Sequence, residues 1–380
     1  MAFPPLVEPV AQLAPDEAVR TARHAVLAGF GDVAQRRLAA AHVAVVGAGG
    51  LGSPVVLALA AAGVGTITVI DDDDVEASNL QRQVMHRVAD VGAPKVDSAV
   101  RVAGDLSPTT VVRPVRALLT PDNARDLLAG AHVVVDGTDT FPTRAAVAAA
   151  CEELGVPLVW GVVQEFHAQV TVFWSAPPAG ATPVRLADLH PPDAALEAPS
   201  CAQVGVLGAL CLQVGSLLAI ETIKLLTGTG EPLLGRVLVI DALRGRTSEV
   251  PLRPAGIDAT ATVAAPPAAA SASASASTSA PAAIPQLSPA ETAAAQRAGA
   301  VLVDVREPWE TAQGTIPGSV LVPLADLLAD PARAGTGPVV VVCQAGLRAQ
   351  RAAAALRDAG IEASVLAGGI VAWDRAAVTA

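Results

Sequence analysis

The sequence predicts an α/β protein of two domains joined by a tether, and three observations carry that prediction. Apolar β-type runs (HVAVVGAG, VGTITVID, TVVRPV, AHVVVDG, VPLVWGVV) are separated by Ala/Leu-rich stretches. Alternation of that kind is the pattern of a parallel sheet with crossover helices. From Ala259 to Pro285 the chain becomes a run of Ala, Ser, Thr and Pro without charge or amphipathic period, which cannot bury enough surface to fix itself. The pattern then restarts with the short strands AVLVDVRE, GSVLVPL, GPVVVVCQAG and ASVLAGG, around one evident helix, RAQRAAAALRDAG, that ends in a glycine cap. The expected boundaries are a first domain over 1–252, a linker over 253–284 and a second domain over 285–380.

Bulk properties agree with two cores. A chain of 380 residues has room for two or three of them. The formal charge of -11 repels phosphate backbones, so neither nucleic acid nor a membrane surface is an expected partner. The start, MAFPPLVEPV, has no basic stretch followed by an apolar core, and a cytoplasmic location is expected. Cys151, Cys201, Cys211 and Cys343 are too few and too scattered for a disulfide framework. The apolar run Val204–Ile220 contains Gln213 and Ser216 and leads into Glu221 and Lys224, which predicts a buried core helix from about Val204 to Leu226. QVTVFW and GRVLVID read as strands added on either side of it, making the first sheet mixed.

VAVVGAGGLGSP contains the spacing G-x-G-x-x-G at Gly47, Gly49 and Gly52. Such glycines let backbone N–H groups approach a pyrophosphate, while the helix from Leu51 presents its positive end to the same charge. Asp71 ends the second strand about twenty residues on, where an acid accepts hydrogen bonds from ribose hydroxyls. NAD and ATP fit that much equally well. Arg82 and Lys95 separate them, because cations flanking the turn neutralise a triphosphate as charge develops on a leaving pyrophosphate. Only Lys95 and Lys224 among the 25 basic residues are lysines. Lys224, near a helix end, reads as a solvated surface group, whereas Lys95 at the start of a helix reads as functional. VVVDGTDTF places Asp136 and Asp139 at the carboxyl end of a buried strand, where open α/β sheets hold ligands. Asp139 suits Mg²⁺; a helix N-cap by Asp139 or Thr140 is the plain alternative.

The stretches VVGAGGLGSP, DDVEASNLQRQV, VGAPKVDSA, DGTDTFPTR, EAPSCAQVGVLG and GSLLAIETIKLLTGTGEPLLGR resemble the MoeB/ThiF family of ubiquitin-activating-like adenylyltransferases, over about Glu17 to Pro251. The resemblance implies a Rossmann-like ATP-binding domain in a homodimeric enzyme. Its substrate would be the C-terminal glycine of a ubiquitin-like sulfur-carrier protein ending in Gly-Gly, which it adenylates. It assigns Gly47, Gly49, Gly50, Gly52, Asp71, Ser78, Asn79, Leu80, Gln81, Arg82, Lys95, Asp139 and Thr140 to ATP, with Asp139 on Mg²⁺. It also has Arg23 reach the phosphates from the partner subunit and makes Cys201 the reactive cysteine. Many relatives carry two C-x-x-C pairs for zinc. This chain has no pair in either place, and no structural zinc is expected.

In VVVVCQAGLRAQRAA, Cys343 ends a buried strand before a short loop and a helix, where backbone N–H groups and the helix dipole favour a thiolate. Arg348 adds a fixed positive charge. A lone cysteine is by default a buried structural group, but a strand end in a Gly-containing loop that closes on Arg favours a reactive one. The six-residue loop Cys343–Arg348, with LVDVREPWETAQGTIPGSVLVPL and VLAGGIVAWDR, resembles the active-site loop of single-domain rhodaneses over about Pro285 to Trp373. Thr315 stands where relatives often have His. Cysteine phosphatases have a longer loop. The resemblance implies sulfane sulfur on Cys343, supplied by a cysteine desulfurase or thiosulfate. Together the two domains imply ATP-dependent adenylation followed by sulfur transfer, giving a thiocarboxylate for molybdopterin, thiamine, cysteine or thiolated tRNA synthesis. The alternative is an activator for protein conjugation through Cys201, with a regulatory rhodanese domain; an NAD dehydrogenase remains only as an analogue in fold.

Overall fold

The β-branched run before the glycine turn forms β1 (His42–Val46), which lies inside an eight-stranded sheet in the computed structural model. The structure describes residues 3–190, 205–254, 284–312, 314–344 and 346–378. Contacts divide the chain into two units, one carrying β1 to β8 and the other the later strands.

In the first unit β2 (Thr66–Ile70), β3 (Val111–Val115), β4 (Val133–Asp136), β5 (Leu158–Gln164), β6 (His167–Phe173), β7 (Arg236–Asp241) and β8 (Arg246–Pro251) complete the sheet in the order β3-β2-β1-β4-β5-β6-β7-β8. The first five are parallel and the last three antiparallel. This is the mixed sheet expected. Helices α1 (Pro15–Arg20), α2 (Ala22–Ala25) and α3 (Gly31–Ala40) precede β1; α4 (Gly52–Ala62), α5 (Lys95–Leu106), α6 (Ala124–Leu128), α7 (Phe141–Leu154), α8 (Leu186–Leu189) and α9 (Gly208–Thr227) follow. Successive side chains of a strand point to opposite faces. Val43 and Val45 accordingly enter a core with Leu59 and Leu218, while Ala44 and Val46 enter another with Leu128 and Trp160. Burial on both faces explains why β1 reads as continuous rather than alternating hydrophobicity.

The long apolar segment is a core helix, as expected, although α9 begins at Gly208. It packs on α4 so closely that a Cβ on Gly215 would come within 2.2 Å of Pro54. The reading of Lys224 as a solvated surface group is corrected. Its ammonium bonds Glu221 at 2.6 Å, and the buried Glu221 carboxylate also accepts the N–H of Leu233, so Lys224 offsets a charge inside the fold. The chain leaving β6 is fastened by a two-bond bridge between Trp174 and Val184 (2.7 and 3.1 Å), with Val184 and Leu186 buried beside Trp160 and Phe173.

The second unit is a parallel sheet in the order β11-β10-β12-β13-β9, from β9 (Gln286–Leu287), β10 (Val301–Asp304), β11 (Val320–Leu321), β12 (Val339–Val342) and β13 (Ala363–Leu366). Its helices are α10 (Pro289–Arg297), α11 (Pro308–Thr311), α12 (Leu324–Ala329), α13 (Leu347–Asp358) and α14 (Gly369–Val378). Ser288 and Glu291 form a reciprocal capping box at the start of α10. On β12, Val339 and Val341 face one core and Val340 and Val342 the other, which leaves Cys343 at the end of the central strand.

Candidate functional sites

The glycine turn lies where the strand order reverses, between the carboxyl ends of β1 and β4, the usual ligand crevice of an open α/β sheet. Gly47 has φ +90°, and a Cβ on Gly52 would come within 1.8 Å of the Gly47 carbonyl oxygen. Only glycine fits either position. The Ala48 peptide is held from both sides: its N–H donates to Asp71 Oδ2 (2.7 Å), and its carbonyl accepts from His86 Nε2 (3.0 Å) and Ser53 Oγ (3.1 Å). Asp71 Oδ1 accepts from the N–H of Asp73 at 2.9 Å. Asp71 thus shapes the turn, a task beyond the ribose contact expected of it. Burial raises its carboxyl above the ordinary range, opposed by the neighbouring Lys95.

A cavity of about 260 Å³ opens over the turn, and Gly47, Gly49, Gly50, Asp71, Arg82, Lys95, Asp139 and Thr140 are on its wall. Gly52 lies buried below. Lys95 is only 6% exposed, and its ammonium is 2.6 Å from Asp73 and 3.9 Å from Asp71. Arg82 donates to the carbonyl of Ser78 at 3.1 Å. The exposed Asp139 makes no hydrogen bond or ion pair with any described residue. Asp136 is fully buried and accepts both the N–H and the hydroxyl of Thr138, so the two acids differ in role. Thr140 is the N-cap of α7 and accepts the N–H of Thr143 at a long 3.4 Å. Thr140→Ala is expected to cost about 0.5–1 kcal/mol in chemical denaturation of the first unit, the low end for a lost cap.

Ser78, Asn79, Leu80 and Gln81 are absent from the cavity wall. Asn79 is buried and accepts the N–H of Glu76, Ser78 donates to the Glu76 carboxylate, and the Gln81 carbonyl closes on Gly208, where a Cβ would approach to 2.2 Å. These residues build the turn that carries Arg82. Arg23 is exposed on α2 and is also absent from the wall. Cys201 falls in 191–204, outside the described residues. Conversely, Gln83, Arg144 and Cys211 line the cavity without having been singled out. Arg144 donates to the carbonyl of Thr138 (2.7 Å) and lies 5.8 Å over the Trp160 ring.

In the second unit Cys343 is 1% exposed, and its sulfur accepts the N–H groups of Gly346 (3.1 Å) and Ala349 (3.4 Å). Gly346, at φ +107°, turns the chain so that its N–H points inward. Arg348, the fixed positive charge of the loop, is not alone. It makes a bidentate pair with Glu310, both contacts at 2.6 Å. Burial pushes the Glu310 carboxyl up, but the bonds from Arg348, the N–H of Glu307 and the nearby guanidinium charges together hold the group below the ordinary range; the bonds to Glu310 raise the Arg348 guanidinium. Arg306 chelates the buried Asp304 and donates to Gln344, the residue after Cys343, at 3.3 Å.

Fold and sites together define a two-unit α/β protein, with a cation-lined crevice over a glycine turn in one unit and a thiol cradled by backbone N–H groups in the other. Two family profiles match it: the ThiF family over residues 21–258 and the rhodanese-like domain over 288–376. The chain belongs to the ThiF family and carries a C-terminal rhodanese-like domain. It is 40% identical over 383 residues to the probable adenylyltransferase/sulfurtransferase MoeZ of Mycobacterium tuberculosis, covering 98% of this chain and 96% of that protein. The sulfur carrier protein adenylyltransferase of Thermus thermophilus is 42% identical over 239 residues, covering 63% of this chain and 88% of its own length. Among solved structures, Escherichia coli MccB crystallised with succinimide shares the fold at a TM-score of 0.54 and 20% identity, over 66% of this chain and 74% of that one.

Proposed function

We propose that this chain adenylates the C-terminal carboxylate of a ubiquitin-like sulfur-carrier protein with ATP and then transfers sulfur from Cys343 to it. The observation that carries the reading is one crevice holding a glycine turn, Arg82, Lys95 and an unengaged Asp139 in the same chain as a thiol loop. Full-length similarity to an adenylyltransferase/sulfurtransferase supports it. The domain boundaries are placed at 1–252, 253–284 and 285–380.

In the first step a carboxylate oxygen attacks the α-phosphorus in line, and pyrophosphate leaves with the bonding pair. Arg82 and Lys95 meet the charge that builds on it, Lys95 exchanging its hold on Asp73 for phosphate oxygens. Asp139 fits Mg²⁺, a hard cation bound through one or two carboxylates and several waters, and the ion when bound supplies further neutralisation of the phosphates. Val19, Val26 and Leu27 stand exposed around Arg23 on α1, α2 and the turn after them. Their exposure supports a homodimer in which Arg23 reaches the partner's phosphates.

In the second step the terminal sulfur of a Cys343 persulfide attacks the acyl carbon and AMP departs. A thiol then attacks the Cys343 sulfur of the resulting acyl disulfide, so that the carrier leaves as a thiocarboxylate. Cys201 is the proposed thiol. The test is to incubate the protein with ATP, a sulfur donor and carriers ending in Gly-Gly, and to weigh the carrier. An ATP-dependent exchange of one oxygen for sulfur is expected. A carrier that gains no sulfur while Cys343 is persulfidated would refute the coupled reading.

A further inference from the structure

The charges around Cys343 bear on which donor can give it sulfur. Arg348 closes the loop one residue before Ala349, whose N–H reaches the sulfur. Each of its terminal nitrogens donates one N–H to an oxygen of Glu310, so a carboxylate neutralises the guanidinium at hydrogen-bond distance, and the two side chains are largely shielded from solvent. Arg306, the other guanidinium touching the loop, is paired with Asp304 at 3% and 0% exposure. Glu307 adds a third carboxylate whose field is felt at Arg348. The loop CQAGLR itself contains no charge besides Arg348. Among the described residues, the two cations at the loop are therefore matched by three acids, and the sulfur is met chiefly by backbone N–H donors.

We propose that Glu310 sets sulfur-donor specificity at Cys343. By engaging both nitrogens of Arg348, it disfavours a dianionic donor such as thiosulfate and suits the loop to persulfide sulfur carried on a thiol. This rests on the reading of Cys343 as a persulfide carrier. With thiosulfate, the Cys343 thiolate attacks the outer sulfur, the S–S bond breaks and sulfite leaves with the electron pair. A dianion enters and a dianion leaves, a course favoured by an uncompensated positive charge beside the sulfur. With a persulfide R–S–SH, the thiolate attacks the terminal sulfur, R–S⁻ leaves, and that sulfur keeps its proton as Cys343–S–SH. One negative charge then departs, and the N–H groups of Gly346 and Ala349 can accommodate the sulfur.

Glu310 acts through Arg348, so the test separates KM from kcat. Full-length protein is loaded with thiosulfate or with cysteine persulfide, and the initial rate of persulfide formation on Cys343 is read by mass. The wild type is expected to prefer cysteine persulfide in kcat/KM. Glu310→Gln, which releases the guanidinium, should raise the thiosulfate-to-persulfide ratio of kcat/KM by about tenfold or more, the scale of a shielded hydrogen bond to a charged group. The change should lie mainly in a lower KM for thiosulfate, and Glu310→Asp should stay near wild type. A wild type that prefers thiosulfate overturns the proposal whether or not the variant folds. An unchanged ratio in Glu310→Gln with a cooperative melt does so as well. Loading from neither donor overturns the persulfide-carrier reading itself, a distinct outcome.

Discussion

Cys343→Ser protein is expected to retain carrier-dependent ATP–pyrophosphate exchange at the wild-type rate and to form no thiocarboxylate above background. The two activities separate because the residues proposed to hold ATP are all in the first unit, whereas the sulfur nucleophile is one atom in the second. Serine is the informative replacement. The thiol sulfur accepts two buried N–H groups, from Gly346 and Ala349, and a hydroxyl oxygen preserves an acceptor there. Alanine leaves both donors unsatisfied at about 1–3 kcal/mol, so lost activity could then reflect lost folding. Exchange assays and carrier mass on the same preparation, with the melting curve of the second unit, check the outcome. Thiocarboxylate formed at the wild-type rate by Cys343→Ser would remove the rhodanese-like unit from the reaction and favour conjugation through Cys201.

The sheet was legible in the sequence because its central strands are buried on both faces. β1, β4 and β12 are nearly pure Val and Ala, short runs bounded by turn residues. β8 was not legible: RTSEVP is exposed at every position and joins the sheet through backbone bonds to β7 and one ion pair, Glu249 with Arg236, which no hydrophobic period announces. The same division runs through the sites. Gly47, Gly49, Arg82, Lys95 and Asp139 are marked by spacing or by residue type, and the fold brings them to one wall. Cys211 sits on that wall from an apolar helix whose sequence says only that it is buried; it is visible solely because α9 packs against Gly50. Glu310 lies in a stretch that resembles rhodaneses, but nothing in that stretch announces its partner. Its importance comes from a pairing across 38 positions that local pattern cannot contain. Acids meet the cations in both units: Lys95, read from sequence as a functional cation, and Arg348, read as a fixed positive charge, are engaged by Asp73 and Glu310.

Gly52→Ala is expected to unfold or severely destabilise the first unit and abolish pyrophosphate exchange, whereas Gly49→Ala folds normally and loses affinity for ATP. A Cβ on Gly52 would lie 1.8 Å from the Gly47 oxygen and 2.8 Å from its carbon, so the obstacle is backbone and cannot swing aside. Gly47 has no room to retreat, because a Cβ at its own position would already be 2.9 Å from the Gly137 oxygen and its N–H is fixed to Ile70 at 2.8 Å. Side-chain overpacking costs about 1–3 kcal/mol, and a backbone collision at a pinned turn should exceed that range. Gly49 differs in both respects. Its φ is outside the left-handed region, and the nearest atom to an added Cβ is Gln83 Nε2 at 3.6 Å, an ordinary contact. The new methyl therefore leaves stability within about 0.5 kcal/mol, yet stands on the wall where phosphate oxygens would approach backbone N–H groups. Urea denaturation of each variant, paired with the KM for ATP in pyrophosphate exchange, distinguishes the cases. Equal stability of the two variants would contradict the close approach of Gly52 to Gly47, and an unchanged KM in Gly49→Ala would move the nucleotide phosphates away from this turn.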